Sequence, residues 1–76
     1  MGGPIFKIGL EVVLEDVGRQ KIAVIKAIRE LLNLGLKEAK DLVESTPQTL
    51  MTQVTLDNAS RVKQELENMG AQVTIR

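Results

Sequence analysis

Residues 21–44, KIAVIKAIRELLNLGLKEAKDLVE, constrain the fold of this chain more than any other stretch. Apolar residues recur at three- and four-residue steps on both sides of Leu34-Gly35-Leu36, the pattern of two amphipathic helices joined by a tight turn. With about 100° per residue and Ile22 set to zero, Val24, Ala27, Ile28 and Leu31 fall between roughly 140° and 240° and form the buried stripe. Ile25 and Leu32 lie at its edge. Lys26 and Arg29 fall near roughly 40° and 340°, so Ile22 stands between two cations on the side away from the core. Exposed apolar residues are common on protein surfaces. The position alone therefore leaves two readings open: an incidental surface residue, or the apolar centre of a docking face.

The second helix, Leu36 to about Glu44, is expected to bury Leu36, Ala39, Leu42 and Val43. Lys37 and Asp41, and Lys40 and Glu44, are spaced i,i+4, so each lysine has an intrahelical partner within reach. Gly35 is expected to close the first helix with positive φ. Pro47 ends the second and biases Thr46 towards an extended conformation.

The flanking segments supply a scaffold. Phe6, Ile8, Leu10, Val12 and Leu14 alternate, which predicts a strand with one buried face, followed by a loop from Glu15 to Gln20. Residues 49–54, with Leu50 and Val54, read as a short second strand. Thr55 is a good N-cap for a helix running to about Met69 and burying Leu56, Ala59, Val62, Leu66 and Met69. Asn58 stands where a full capping box would have Glu or Gln. Gly70 ends that helix, and Ala71, Val73 and Ile75 alternate in a last strand. The expected architecture is a two-layer α+β domain of order β-α-α-β-α-β, a three-stranded antiparallel sheet with three helices on one face. Residues 10–76 make up the domain, and residues 1–9 are an N-terminal extension or the start of the first strand.

Seventy-six residues make one domain with a modest core. No cysteine is present to staple it, and Phe6 is the only aromatic residue, so the core must be aliphatic. No apolar run approaches the roughly 20 residues of a membrane span, and no signal-peptide pattern occurs. Net charge is zero but unevenly spread: residues 17–40 carry +4, while residues 1–16 and 41–76 carry −2 each. A basic face on an otherwise acidic chain points to an acidic protein partner rather than to nucleic acid, where an overall basic excess is usual. Neither a glycine-flanked loop of the KH type nor an aromatic stacking platform is present. Without histidine or cysteine the chain lacks the commonest general base, the thiol nucleophile and the usual zinc ligands. No Gly-rich phosphate loop occurs either. We expect no catalytic residue, no metal site, no cofactor and no enzymatic activity.

Lys21-Ile22-Ala23-Val24-Ile25-Lys26-Ala27-Ile28-Arg29, followed by Leu34-Gly35-Leu36-Lys37-Glu38-Ala39-Lys40-Asp41-Leu42-Val43-Glu44, closely resembles the C-terminal domain of the bacterial ribosomal stalk protein, the large-subunit seven/twelve family. The resemblance covers about residues 10–76 and includes Gly70-Ala71 and the closing strand. It implies the same element order. It also implies a function, the recruitment of translational GTPases (elongation factors, with initiation and release factors as further candidates) to the large ribosomal subunit. Carried over position by position, the implied contact residues are Lys21, Ile22, Ile25, Lys26, Arg29, Gly35, Leu36, Glu38 and Lys40. The helical wheel had independently set Ile22, Lys26 and Arg29 on the outer face, and this agreement favours the docking reading of Ile22.

In that family, attachment to the ribosome runs through an N-terminal dimerising domain and a hinge that this sequence does not contain. No direct nucleic-acid or membrane contact is implied. The expected location is the bacterial cytoplasm, or an organelle stroma or matrix if the chain is encoded with a transit peptide. The alternative is a free-standing adaptor or interaction module with the same fold, acting outside the ribosome. The Clp protease adaptor is similar in fold but relies on an acidic, histidine-containing pocket not evident here.

Overall fold

The computed structural model describes residues 9–76. The expected strand start at Phe6 and Ile8, and most of the 1–9 extension, lie outside the described residues. The elements are β1 (Leu10–Asp16), α1 (Lys21–Leu32), α2 (Leu36–Glu44), β2 (Gln48–Val54), α3 (Leu56–Glu67) and β3 (Gln72–Ile75). The sheet has the order β2-β1-β3, with β1 antiparallel to both neighbours. The α+β order read from periodicity is therefore the observed one.

The core lies between the sheet and the helices and is aliphatic among the described residues. Val12 and Leu14 from β1 meet Val24, Ile25, Ala27 and Ile28 from α1, Ala39 and Val43 from α2, and Ala59, Val62 and Leu66 from α3. No polar side chain is buried among the described residues. β1 is central, and Val13, on its other face between Thr49 and Thr74, is buried as well. The β1–β2 register slips twice, between Leu10 and Val12 and again between Val12 and Val13, where β2 carries one extra residue. The extra residue lets Leu50 enter the core while the adjacent Met51 packs against it.

Five expectations need correction. Glu15 and Asp16 belong to β1 rather than to the loop, because Asp16 pairs with Gln72. Asp16 Oδ1 then accepts the Gly18 amide at 3.1 Å and begins the turn. Ile25 is in the core rather than at its edge. α1 packs against both α2 and α3, so its buried arc is wider than contact with a sheet alone would make it. Leu36 and Leu56 were both expected inside, but they are 57% and 62% exposed. Each is the first residue of its helix. A helical Cα–Cβ bond tilts towards the N-terminus, so at that position the side chain projects beyond the packed surface. Leu31, Leu42 and Met69, all expected inside, are half-buried, at the margin of the core.

The fifth correction concerns the hairpin turn. The left-handed residue is Asn33 (φ 55°, ψ 48°), not Gly35. Asparagine tolerates this conformation. The Leu34 amide then donates to the Arg29 carbonyl at 3.0 Å. Gly35 has φ −73° and ψ 170° and is the N-cap of α2, a backbone state open to any residue. A glycine is required elsewhere, at Gly18 (φ +77°), where a side chain would run into the Gly70 carbonyl. The loops that precede α1 and follow α3 thus touch backbone to backbone. At the start of α3, Thr55 caps as expected, its hydroxyl accepting the Asn58 amide at 3.2 Å.

Candidate functional site

The outer face of the α1–α2 hairpin brings together exposed apolar residues and cations without an ion pair among the described residues. Ile22, at the start of α1, is 72% exposed. Lys26 and Arg29 follow it on the outer side of α1, both exposed and without an ion-pair partner among the described residues. A shallow open groove runs from Lys26 and Arg29 past Glu30 to Asn33 and Leu34 at the turn. Beyond the turn stands the exposed Leu36. The face therefore carries an apolar residue near each end, with cations between.

Local folding explains each placement. Ile22, Lys26 and Arg29 share one side of a helix whose opposite side is filled by Val24, Ala27 and Ile28. Arg29 is also in the last turn of α1, where a cation suits the helix dipole. Glu38, in the first turn of α2, is favoured for the same reason with the sign reversed. Its carboxylate lies over Gly35, so a Cβ built there would stand 2.5 Å from Glu38 Oε1.

Two lysines behave differently from each other. Lys37 makes the expected i,i+4 pair with Asp41, at 3.3 Å. The pair expected between Lys40 and Glu44 is not formed. Glu44 Oε2 is instead 2.8 Å from Lys21 Nζ, across the hairpin. The Lys21 ammonium holds the Glu44 carboxyl below the usual glutamate range, first by its hydrogen bond and then by its charge. Lys21 is thereby neutralised, while Lys40 is left exposed with no ion pair among the described residues. No i,i+4 rule reaches a partner 23 residues away, which is why the sequence pattern missed Glu44.

Of the nine positions singled out in the sequence, Ile22, Lys26, Arg29, Gly35, Leu36, Glu38 and Lys40 are exposed on the hairpin. Lys21 is half-buried in its ion pair. Ile25, in the core, supports the face from beneath and offers little of itself to a partner. A second concavity, between Leu31, Met51 and Val62, is rimmed by Arg61 and Glu65 and so lacks any excess of one charge. Among the described residues, no cluster of carboxylates could hold a metal ion, and no helix is long and apolar enough to cross a membrane.

Comparison with known proteins identifies the family. Residues 10–76 match the family model of the ribosomal protein L7/L12 C-terminal domain. The chain is 53% identical over 70 residues to the large ribosomal subunit protein bL12 of Baumannia cicadellinicola, covering 92% of this chain and 58% of that protein. For bL12 of Geobacillus thermodenitrificans the identity is 49% over 70 residues, covering 92% and 57%. For bL12 of Haemophilus ducreyi it is 53% over 70 residues, covering 92% and 58%. The chain thus spans a little over half the length of the relatives it matches. With a family match from the first strand to the last residue, and identity near one half to proteins of that name, this chain belongs to the ribosomal protein L7/L12 C-terminal domain family.

Proposed function

We propose that this domain is a non-enzymatic docking module that recruits translational GTPases at the large ribosomal subunit of a bacterial cytoplasm. Ile22, Lys26 and Arg29 form the centre of its contact face, with Leu36 and Lys40 beside them and Gly35 and Glu38 at the turn. The observation that carries this reading is the exposure of Ile22, 72%, between cations that have no ion-pair partner among the described residues. An isoleucine held in water beside unpaired charge does nothing for the stability of the domain itself. Buried in a complex it contributes on the order of 1.5–3 kcal/mol. Lys26, Arg29 and Lys40 would steer an acidic surface into register, an effect that salt weakens over a Debye length of about 8 Å at physiological ionic strength. Attachment to the ribosome would run through an N-terminal domain, as the family resemblance implies, and not through this face.

The test is calorimetric titration of the chain against a purified bacterial elongation factor, beside an Ile22→Ala, Lys26→Ala, Arg29→Ala triple variant. The expected result is binding that weakens with salt and is lost in the triple variant. Unchanged affinity in that variant would remove this face from consideration. No binding by the unmodified chain would favour an adaptor acting outside the ribosome. Glu30 borders the same groove and opposes an acidic partner. Glu30→Gln should therefore tighten binding, by about two- to five-fold at low salt.

A further inference from the structure

α1 and α2 are joined covalently at one end only, through Asn33–Gly35. The other end is the one that carries Ile22. There Lys21, the first residue of α1, meets Glu44, the last residue of α2, and among the described residues this is the one ion pair that links the two helices. The local electrostatics of each helix would choose the opposite signs. α1 has no acid in its first turn and begins with a cation; α2 has no base in its last turn and ends with an anion. Each charge sits at the unfavourable end of its own dipole. Helix preference accounts for neither residue, whereas pairing across the hairpin accounts for both.

The two ends are also fastened unequally. The N-cap of α1, Gln20, makes no side-chain capping bond, so the first turn is closed only by backbone bonds such as Val24 N–H to Gln20 O at 3.0 Å. The end of α2 is tied down: Ser45 Oγ donates to the Asp41 carbonyl at 2.9 Å and accepts from Gln48 Nε2 at 3.0 Å. Glu44 therefore stands on the firm side of the contact and Lys21 on the loose one.

We propose that Glu44 is a positioning residue for the docking face: by holding Lys21 it closes the open end of the hairpin and keeps the Ile22 end of α1 in its docking orientation. This rests on the docking reading given above. It assigns Lys21 to holding the hairpin closed rather than to direct partner contact.

The sign of one substitution separates this from simple charge steering. Glu44→Gln removes a negative charge beside a basic face. Steering alone would then tighten binding to an acidic partner, whereas loss of the tie weakens it. Affinity for a purified bacterial elongation factor should fall about two- to five-fold, the range of an exposed ion pair. The double reversal Lys21→Glu, Glu44→Lys restores the pair with signs that suit both dipoles, and should return the affinity to within about two-fold of the original. Partner-free amide exchange supplies the second readout. Exchange at Val24 and Ile25 should quicken about two- to five-fold in Glu44→Gln and recover in the double reversal. Equal or tighter binding by Glu44→Gln, failure of the reversal to restore it, or unaltered exchange would each overturn the positioning role. If Ile22→Ala weakens binding while Glu44→Gln does not, that role alone fails and the docking face stands. If the unmodified chain binds no factor, the docking reading fails and takes the positioning role with it.

Discussion

The sheet side of the domain and its helical hairpin treat surface residues in different ways. Away from the hairpin, Arg76 pairs with Glu11 at 3.3 Å between β3 and β1 and Lys63 with Glu67 at 3.7 Å along α3, while Arg19 and Arg61 have no ion pair among the described residues. On the hairpin, Lys21 and Lys37 are paired with Glu44 and Asp41, whereas Lys26, Arg29 and Lys40, clustered on one face, have no ion-pair partner among the described residues. Each region also exposes large apolar residues, but in unlike company. Leu56 on α3 is followed by Asp57, while Ile22 and Leu36 flank a run of cations. An exposed leucine at a helix start needs only backbone geometry to explain it. Ile22 and Leu36 also lie at helix starts, but they stand beside Lys26, Arg29 and Lys40, which have no ion pair among the described residues, and so the hairpin, not α3, is where a partner is expected.

The largest effects test whether the inner and outer sides of α1 are as different as they look. Leu14→Ala and Ile25→Ala remove fully or nearly fully buried side chains. Each should lower unfolding free energy by about 2–5 kcal/mol. Ile22→Ala, on the same helix, should change it by no more than about 0.5 kcal/mol. Chemical denaturation of the three variants measures this directly, and similar losses for Ile22 and Ile25 would abolish the distinction. Leu42→Ala should fall between them, because Leu42 is half-buried.

Next in size is the complementary measurement on binding. The Ile22→Ala, Lys26→Ala, Arg29→Ala variant should lose about 10–100-fold in affinity for an elongation factor while its melting temperature stays nearly constant. A control that replaces Leu56 with Ala should leave affinity unaltered. If the Leu56 variant were the weaker binder, the contrast between the two regions would be reversed.

A smaller effect probes the turn that separates the two helices. Asn33→Ala places a β-carbon with no compensating side-chain polarity in the left-handed region and should cost about 1 kcal/mol, whereas Asn33→Gly should not. Gly35→Ala should cost only about 0.5 kcal/mol, since its backbone is unstrained and the neighbour in its way is the mobile end of Glu38. Thermal melts that ranked Gly35 above Asn33 would contradict the observed turn.

The smallest effect is the pH dependence of the hairpin tie. Glu44 has a carboxyl whose folded-state pKa is depressed, chiefly by the Lys21 hydrogen bond. Its contribution to stability is complete above the ordinary glutamate range and disappears as pH falls through the depressed value. Wild type and Glu44→Gln should therefore differ slightly near neutrality and converge in acid. A difference that grew on acidification would have the wrong sign for this pair.

Much of the architecture could be read from local pattern, because helices and strands impose periods of 3.6 and 2 on any chain that buries one face. The stripe residues Val24, Ala27 and Ile28, the cap at Thr55 and the outward position of Ile22 follow from that arithmetic and the structure places them accordingly, whereas Leu31 is only half-buried and α3 ends at Glu67 with Asn68 as its C-cap. Periodicity fails where a helix begins and where a helix has more than one neighbour. It assigned Leu36 and Leu56 to the core because it ignores the backward tilt of the first side chain. It left Ile25 at the margin because it has no knowledge of the second wall that α2 provides. The same blindness gave Lys40 a partner it does not have. Glu44 is one helical turn from Lys40 in sequence, but chain reversal brings it to Lys21, 23 residues earlier. Local spacing settles which side of each element is wet. Which charges on the wet side remain free for a partner depends on long-range contacts, because an ion pair follows distance in space and not separation along the chain.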